Sequence, residues 1–174
     1  MNRRELLKNL ALGAGAVVAL PSWANAWTPS KIMVSGVFSS KELGLLSSIA
    51  STFIPEGKSE PGALGLEVDK FLDRLFADCY SKADQEKIKQ GMVLLNTTAK
   101  KSYQSAFSDC TQLQRESMLI GFSEPSTTEK EWFYDTLRKE TIRGYTTSEY
   151  VMVNHYNYVM APGHYDGCVD VVES

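Results

Sequence analysis

Apolar residues recur at helical spacing through most of the chain. Leu43, Leu46, Ala50 and Phe53 follow Ser39-Ser40-Lys41-Glu42, in which Ser39 is an N-cap and Glu42 lies three positions on, a reciprocal capping pattern. Pro55 stops this first helix, and a polar Gly- and Pro-containing loop fills 56–62. The stripe Leu64, Val68, Phe71, Leu72, Leu75, Cys79 predicts a second helix over about 63–80. Ile88, Met92, Leu95, Ala99 and Tyr103 form the most regular stripe and predict a third helix over about 84–106. Thr111-Gln112-Leu113-Gln114 opens a short helix through Met118, Leu119 and Phe122. Thr127 or Thr128 caps a helix holding Trp132, Phe133 and Leu137, with Gly144 as its C′ stop. Ser148 caps a last short helix to about Tyr156.

The second and third helices are expected to form an antiparallel hairpin. Residues 27–38 read as extended, and the tail from Ala161 reads as loop with a short strand at 169–172. The expected fold is all-α: an irregular bundle of five to six helices with extended N-terminal and C-terminal tails.

The first 26 residues break this pattern. Arg3-Arg4 run into Glu5, then Leu6-Leu7 and Lys8, the core of a twin-arginine signal. The apolar stretch Leu10 to Leu20 is shorter than the roughly 20 residues a membrane-spanning helix needs. Pro21-Ser22-Trp23 ends it, and Ala24-Asn25-Ala26 is a small-residue cleavage site that sets Trp27 as the mature N-terminus. The expected organisation is thus an export signal over 1–26 and a single helical domain over 27–174. Removing Arg3, Arg4, Lys8 and Glu5 with the signal takes the formal net charge from −3 to −5. That balance argues against a nucleic-acid partner, which calls for a basic face.

Candidate chemistry is sparse. No Gly-x-Gly-x-x-Gly fingerprint and no Cys-x-x-Cys-His haem attachment occurs. His155 and His164 are the two histidines. His164, Asp166 and Cys168 invite a zinc sketch, but the tight four-ligand spacing of a structural site is missing. Ser148, Glu149 and His155 invite a hydrolase sketch, but a helix N-cap accounts for Ser148 without a nucleophile elbow. No catalytic, cofactor-binding or metal-binding residue is assigned. Cys79 lies on the apolar stripe and is expected in the core. A third helix of about 22 residues is roughly 33 Å long, too far for Cys79 to reach Cys110. Cys168, in the tail, is expected to be accessible. Five of eight tyrosines fall between Tyr145 and Tyr165. About half should close the core. Tyr145, Tyr158, His164, Tyr165 and Cys168 are the residues expected to meet a partner.

Four stretches, in order, resemble the gluconate 2-dehydrogenase subunit 3 family. They are Phe53-Ile54-Pro55-Glu56 with Pro61-Gly62-Ala63 and Val68-Asp69-Lys70-Phe71-Leu72-Asp73; Gly91-Met92-Val93-Leu94-Leu95-Asn96 with Ala99 and Phe107; Trp132-Phe133 with Thr141-Ile142-Arg143-Gly144-Tyr145; and Pro162-Gly163-His164-Tyr165-Asp166-Gly167-Cys168. The resemblance implies a non-catalytic accessory subunit of a membrane-associated dehydrogenase acting on sugars, sugar acids or polyols. It implies a large flavoprotein partner of the glucose–methanol–choline type, with FAD there and none here. It also implies a possible c-type cytochrome carrying haem c as a third subunit. The chain would supply the signal read by the twin-arginine translocase, and the complex would sit on the periplasmic face of the inner membrane. The residues leave a different class open, an independent periplasmic enzyme or ligand-binding module with an unrecognised site.

Overall fold

The computed structural model describes residues 35–123, 128–161 and 163. Among them run six α-helices: α1 (Ser40–Phe53), α2 (Val68–Cys79), α3 (Lys82–Tyr103), α4 (Gln112–Ser123), α5 (Thr128–Thr146) and α6 (Glu149–Asn154). A 3-10 turn, Phe107–Asp109, lies between α3 and α4, and no strand occurs among the described residues. The all-α expectation holds. The export signal, most of the extended stretch before Ser35 and the strand at 169–172 lie outside the described residues.

Side-chain caps set most helix starts. The Ser39 hydroxyl accepts from the Glu42 N–H at 3.4 Å, and the Glu42 carboxylate accepts from the Ser39 N–H at 2.7 Å. Burial pushes the Glu42 carboxyl up, but the bonds it accepts from the Ser39 hydroxyl and N–H, with the Lys89 charge, outweigh it and hold it below the usual carboxylate range. Thr111 and Gln114 repeat the reciprocal bond at α4, and Ser148 caps α6 through the Val151 N–H. Helix α3 starts at Lys82, earlier than expected, because Ser81 is the cap and accepts from the Asp84 N–H at 3.2 Å.

Helix α2 starts later than expected. Residues 63–67 form turns, and Glu67 precedes the helix in the left-handed region at φ 55°. The cause lies six to nine residues upstream. The Glu56 carboxylate accepts from the Gly62 N–H at 2.7 Å and the Gly65 N–H at 2.9 Å, which pulls this backbone back over the loop. A Cβ at Gly62 would lie 2.6 Å from the Glu56 nitrogen and 2.8 Å from the Pro55 oxygen, so glycine alone fits the crossing.

The core draws on α1 to α5, α4 contributing Met118, Leu119 and Phe122, and on the 3-10 turn. Leu46, Ile49, Leu72, Phe76, Ile88, Met92, Leu95, Phe107, Phe133 and Leu137 are buried. The α3 stripe is buried as its spacing predicts, with Tyr103 half-buried at its end. Helix α2 is rotated from expectation. Its inward line is Val68, Leu72 and Phe76, continued by Tyr80, whose ring meets Phe76 edge-on at 5.0 Å. Cys79 therefore faces solvent, correcting its expected place in the core.

The antiparallel hairpin of α2 and α3 is also corrected. Both helices pack on α1 and α5 rather than along each other. At their corner the Gln85 amide donates to the Phe76, Ala77 and Tyr80 carbonyls, satisfying the open end of α2. Helix α3 ends at Tyr103, short of the expected 106, with Gln104 left-handed at φ 54°. The Asn96 side chain accepts from the Phe107 N–H at 3.0 Å and so holds the reversal that buries Phe107.

Gly144 is not a helix stop, since α5 continues to Thr146. Its Cβ position lies 2.5 Å from Phe71 Cδ1 and 3.1 Å from Val68 Cγ1. The glycine is a point of close approach between α5 and α2.

Candidate partner-docking face

Three carboxylates, Asp69, Asp73 and Glu140, are occupied by scaffold bonds. Buried Asp73 accepts from the Ser35 N–H at 2.7 Å and the Ser35 hydroxyl at 2.6 Å, tying the segment before α1 to α2. Asp69 accepts from the Ser47 hydroxyl at 2.7 Å, tying α1 to α2. Buried Glu140 accepts from the Tyr80 hydroxyl at 3.2 Å and from Arg143 at 3.3 Å. These groups are spent on holding the fold.

Tyr80 reports that environment. Burial first, then the Glu140 charge, pushes its phenol from 10.0 to about 12. The unfolded chain then ionises this group before the folded chain does. Its contribution to stability is intact below about pH 10 and is lost as pH rises through about 12. In an ultraviolet tyrosinate titration Tyr80 should ionise late, as should Tyr150, which its bond to Glu60 pushes up, and Tyr80→Phe should remove the Tyr80 step alone. A titration unchanged by the substitution would contradict the assignment.

No group of three or more His, Cys, Asp or Glu side chains among the described residues is placed to hold a metal ion. Ser148 is used as a cap and donates its hydroxyl proton to the Tyr145 carbonyl at 2.7 Å. His155 lies instead 3.3 Å from Glu60, so the structure does not assemble the hydrolase sketch. Cys110 is buried with its thiol on the Ala106 carbonyl, and both it and Cys79 are free thiols.

The C-terminal end of α5 and α6 fold over the loop between α1 and α2. Tyr145 packs its ring against the core and donates to the Pro61 carbonyl at 3.0 Å. Tyr150 donates to Glu60 at 2.9 Å, and the Tyr150 and His155 rings stand 6.1 Å apart. The Tyr150 bond first, then His155, holds the Glu60 carboxyl below the usual carboxylate range. After α6 the chain turns through Asn157 at φ 50°, with the Tyr156 N–H on the Val151 carbonyl and the Tyr158 N–H on the Met152 carbonyl.

This turn carries a strip of exposed apolar side chains. Val153 is 50% exposed, Tyr156 63%, Tyr158 50%, Val159 61% and Met160 87%. Five large apolar groups are exposed within eight residues of chain, whereas exposed apolar residues scattered singly need no explanation. Of the tyrosines expected at a partner, Tyr158 is on this strip and Tyr145 is engaged within the domain. His164, Tyr165 and Cys168 lie outside the described residues. Val153, Tyr156, Val159 and Met160 escaped the sequence reading. Their signal was the run of apolar residues continuing past the last helix with no partner stripe to receive them.

The described residues thus form an all-helical domain whose buried carboxylates are used in scaffold bonds and which exposes a run of apolar side chains after its last helix. The family described as gluconate 2-dehydrogenase subunit 3 matches residues 40–163, and the chain belongs to that family. Neither a comparison with curated proteins nor one with solved structures yields a match.

Proposed function

We propose that the chain is the non-catalytic accessory subunit of a periplasmic, membrane-associated flavin dehydrogenase that oxidises a sugar, sugar acid or polyol. Family membership carries the reading. Its partner is a large flavoprotein of the glucose–methanol–choline type, which holds the FAD and the chemistry. A c-type cytochrome takes the electrons where a third subunit is present. Residues 1–26 give the assembled pair its address: Arg3, Arg4, Leu6, Leu7 and Lys8 form the twin-arginine signal, and cleavage falls between Ala26 and Trp27. The twin-arginine translocase carries folded proteins, which suits a partner that acquires FAD in the cytoplasm.

The reading is supported by the use of the interior carboxylates and Ser148 as scaffold bonds, and by the exposed apolar strip, which suits a subunit stabilised by burial against another chain. The test replaces Arg3-Arg4 with Lys-Lys and follows both chains by cell fractionation. Both should remain in the cytoplasm. A flavoprotein still exported in full beside the retained variant would overturn the escort role.

A further inference from the structure

We propose that the outer face of α3 is a self-association surface, on which the α3 of a second copy of this chain lies antiparallel. The inference stands on the pattern of that face and does not need the accessory-subunit reading.

Helix α3 buries one stripe, Ile88, Met92, Leu95 and Ala99. At 3.6 residues per turn the opposite stripe is Glu86, Gln90, Val93, Leu94, Thr97 and Lys101, and all six are exposed. Its centre is apolar, with Val93 63% exposed and Leu94 42%. Shallow grooves flank this ridge. Glu42 and Lys89 line one toward α1, and Phe122 and Trp132 line another toward α4 and α5. Ridges of one helix seat in such grooves of another.

The ends of the stripe carry opposite signs. Glu86 lies seven residues before Val93, and Lys101 lies seven after Leu94. Neither has an ion pair among the described residues. A two-fold axis through the midpoint of Val93 and Leu94 therefore sets Glu86 of each copy level with Lys101 of the other. Gln90 falls level with Thr97 of the other copy. The Thr97 hydroxyl donates to the Val93 carbonyl at 2.8 Å, which leaves its oxygen to accept from the Gln90 amide. Val93 and Leu94 of both copies fill the middle. A parallel arrangement would instead set Glu86 against Glu86 and Lys101 against Lys101.

This pattern favours a second copy over other occupants. A stripe with opposite charges equally far from its own midpoint is self-complementary, as a two-fold contact requires. The chain beyond Gly163 holds Asp166, Asp170 and Glu173 with no Lys or Arg, so it could answer Lys101 but not Glu86. Lys87 and Lys100 also come level, but on opposite flanks of the stripe, and Lys87 is held by Asp84 at 3.0 Å. One helix pair buries less than the roughly 1,200 Å² of a standard interface, so the dimer should be weak and concentration-dependent.

The test follows sedimentation of the purified full chain from micromolar to millimolar concentration, where a monomer–dimer equilibrium is expected. Val93→Asp with Leu94→Asp should raise the dimer dissociation constant at least about tenfold, as loss of central interface groups does. Its thermal unfolding should match that of the unaltered chain. Glu86→Lys and Lys101→Glu should each weaken the dimer about threefold or more at low salt, where like charges then meet. Mixing these two variants should restore association, because each then meets its opposite, and local damage to the fold would give no such recovery. The control pair Leu113→Asp and Ile120→Asp alters exposed apolar residues of α4 and should change nothing. A chain monomeric throughout, a dimer indifferent to the Val93 and Leu94 changes, or no recovery on mixing would overturn the pairing while leaving the accessory role standing.

Discussion

Phe76→Ala is expected to cost about 3–5 kcal/mol of folding stability, the range for emptying a fully enclosed aromatic site. Phe76 is 0% exposed, and it stands edge-on to Phe38 at 6.2 Å and to Tyr80 at 5.0 Å. Phe38 belongs to the segment before α1 and Tyr80 to the corner before α3, so one ring joins both flanks to α2. The neighbours cannot close the cavity without tearing these edge contacts. Such a loss is a large part of the roughly 5–15 kcal/mol that holds a domain folded. Urea unfolding of the chain reads it directly. Phe76→Leu should lose much less, because it keeps most of the volume. Equal midpoints for the alanine variant and the unaltered chain would show that Phe76 is not the packed centre described above.

Gly91→Ala should also destabilise, by about 1–3 kcal/mol, although alanine is the better helix former. In an open helix position the same change gains about 0.8–1 kcal/mol. At Gly91 the added Cβ would fall 2.2 Å from Cδ2 and 2.5 Å from Cγ of Phe133. Phe133 is 1% exposed and backed by Phe122 at 6.1 Å, so its ring has nowhere to retreat. Gly44 supplies the contrast. It lies inside α1 with nothing within 4 Å of its Cβ position, so Gly44→Ala should raise stability. Opposite signs for one substitution on two helices are the signature of close approach between α3 and α5. A stabilising Gly91→Ala would contradict that approach.

Regular stretches of this fold were legible in the sequence. The α3 stripe, the reciprocal caps at Ser39 and Thr111 and the Ser148 cap all read correctly, because each depends on residues within a turn or two. The errors fell where distant residues decide. The start of α2 is set by Glu56 reaching Gly62 and Gly65, and no periodicity reports that. The inward turn of Asp73 toward Ser35 accompanies a rotated α2, which moved Cys79 to the surface and gave Tyr80 the core position. Gly144 looked like a terminator because glycine is common there, yet its missing side chain makes room for Phe71.

The candidate face was half visible. The density of tyrosines after Tyr145 pointed to the end of the molecule that carries the exposed apolar run, but composition does not separate rings that close a core from rings that stay exposed. Tyr145 and Tyr150 are tied down by Pro61 and Glu60, residues more than eighty positions away. Tyr156 and Tyr158 are not drawn inward. The motifs that signalled the family proved to be its joints: Glu56 and Gly62 shape the loop, Asn96 holds the turn at Phe107, and Gly91 and Gly144 let helices touch.

On the proposed reading this chain binds a redox subunit and performs no redox chemistry itself. The decisive measurement purifies the tagged chain from cells, separates its subunits and records visible spectra and dehydrogenase turnover for each. Flavin and turnover should travel with a large partner chain, leaving this chain colourless and inactive. A chain that emerges alone, or that keeps a flavin, haem or metal with matching turnover after separation, would contradict it.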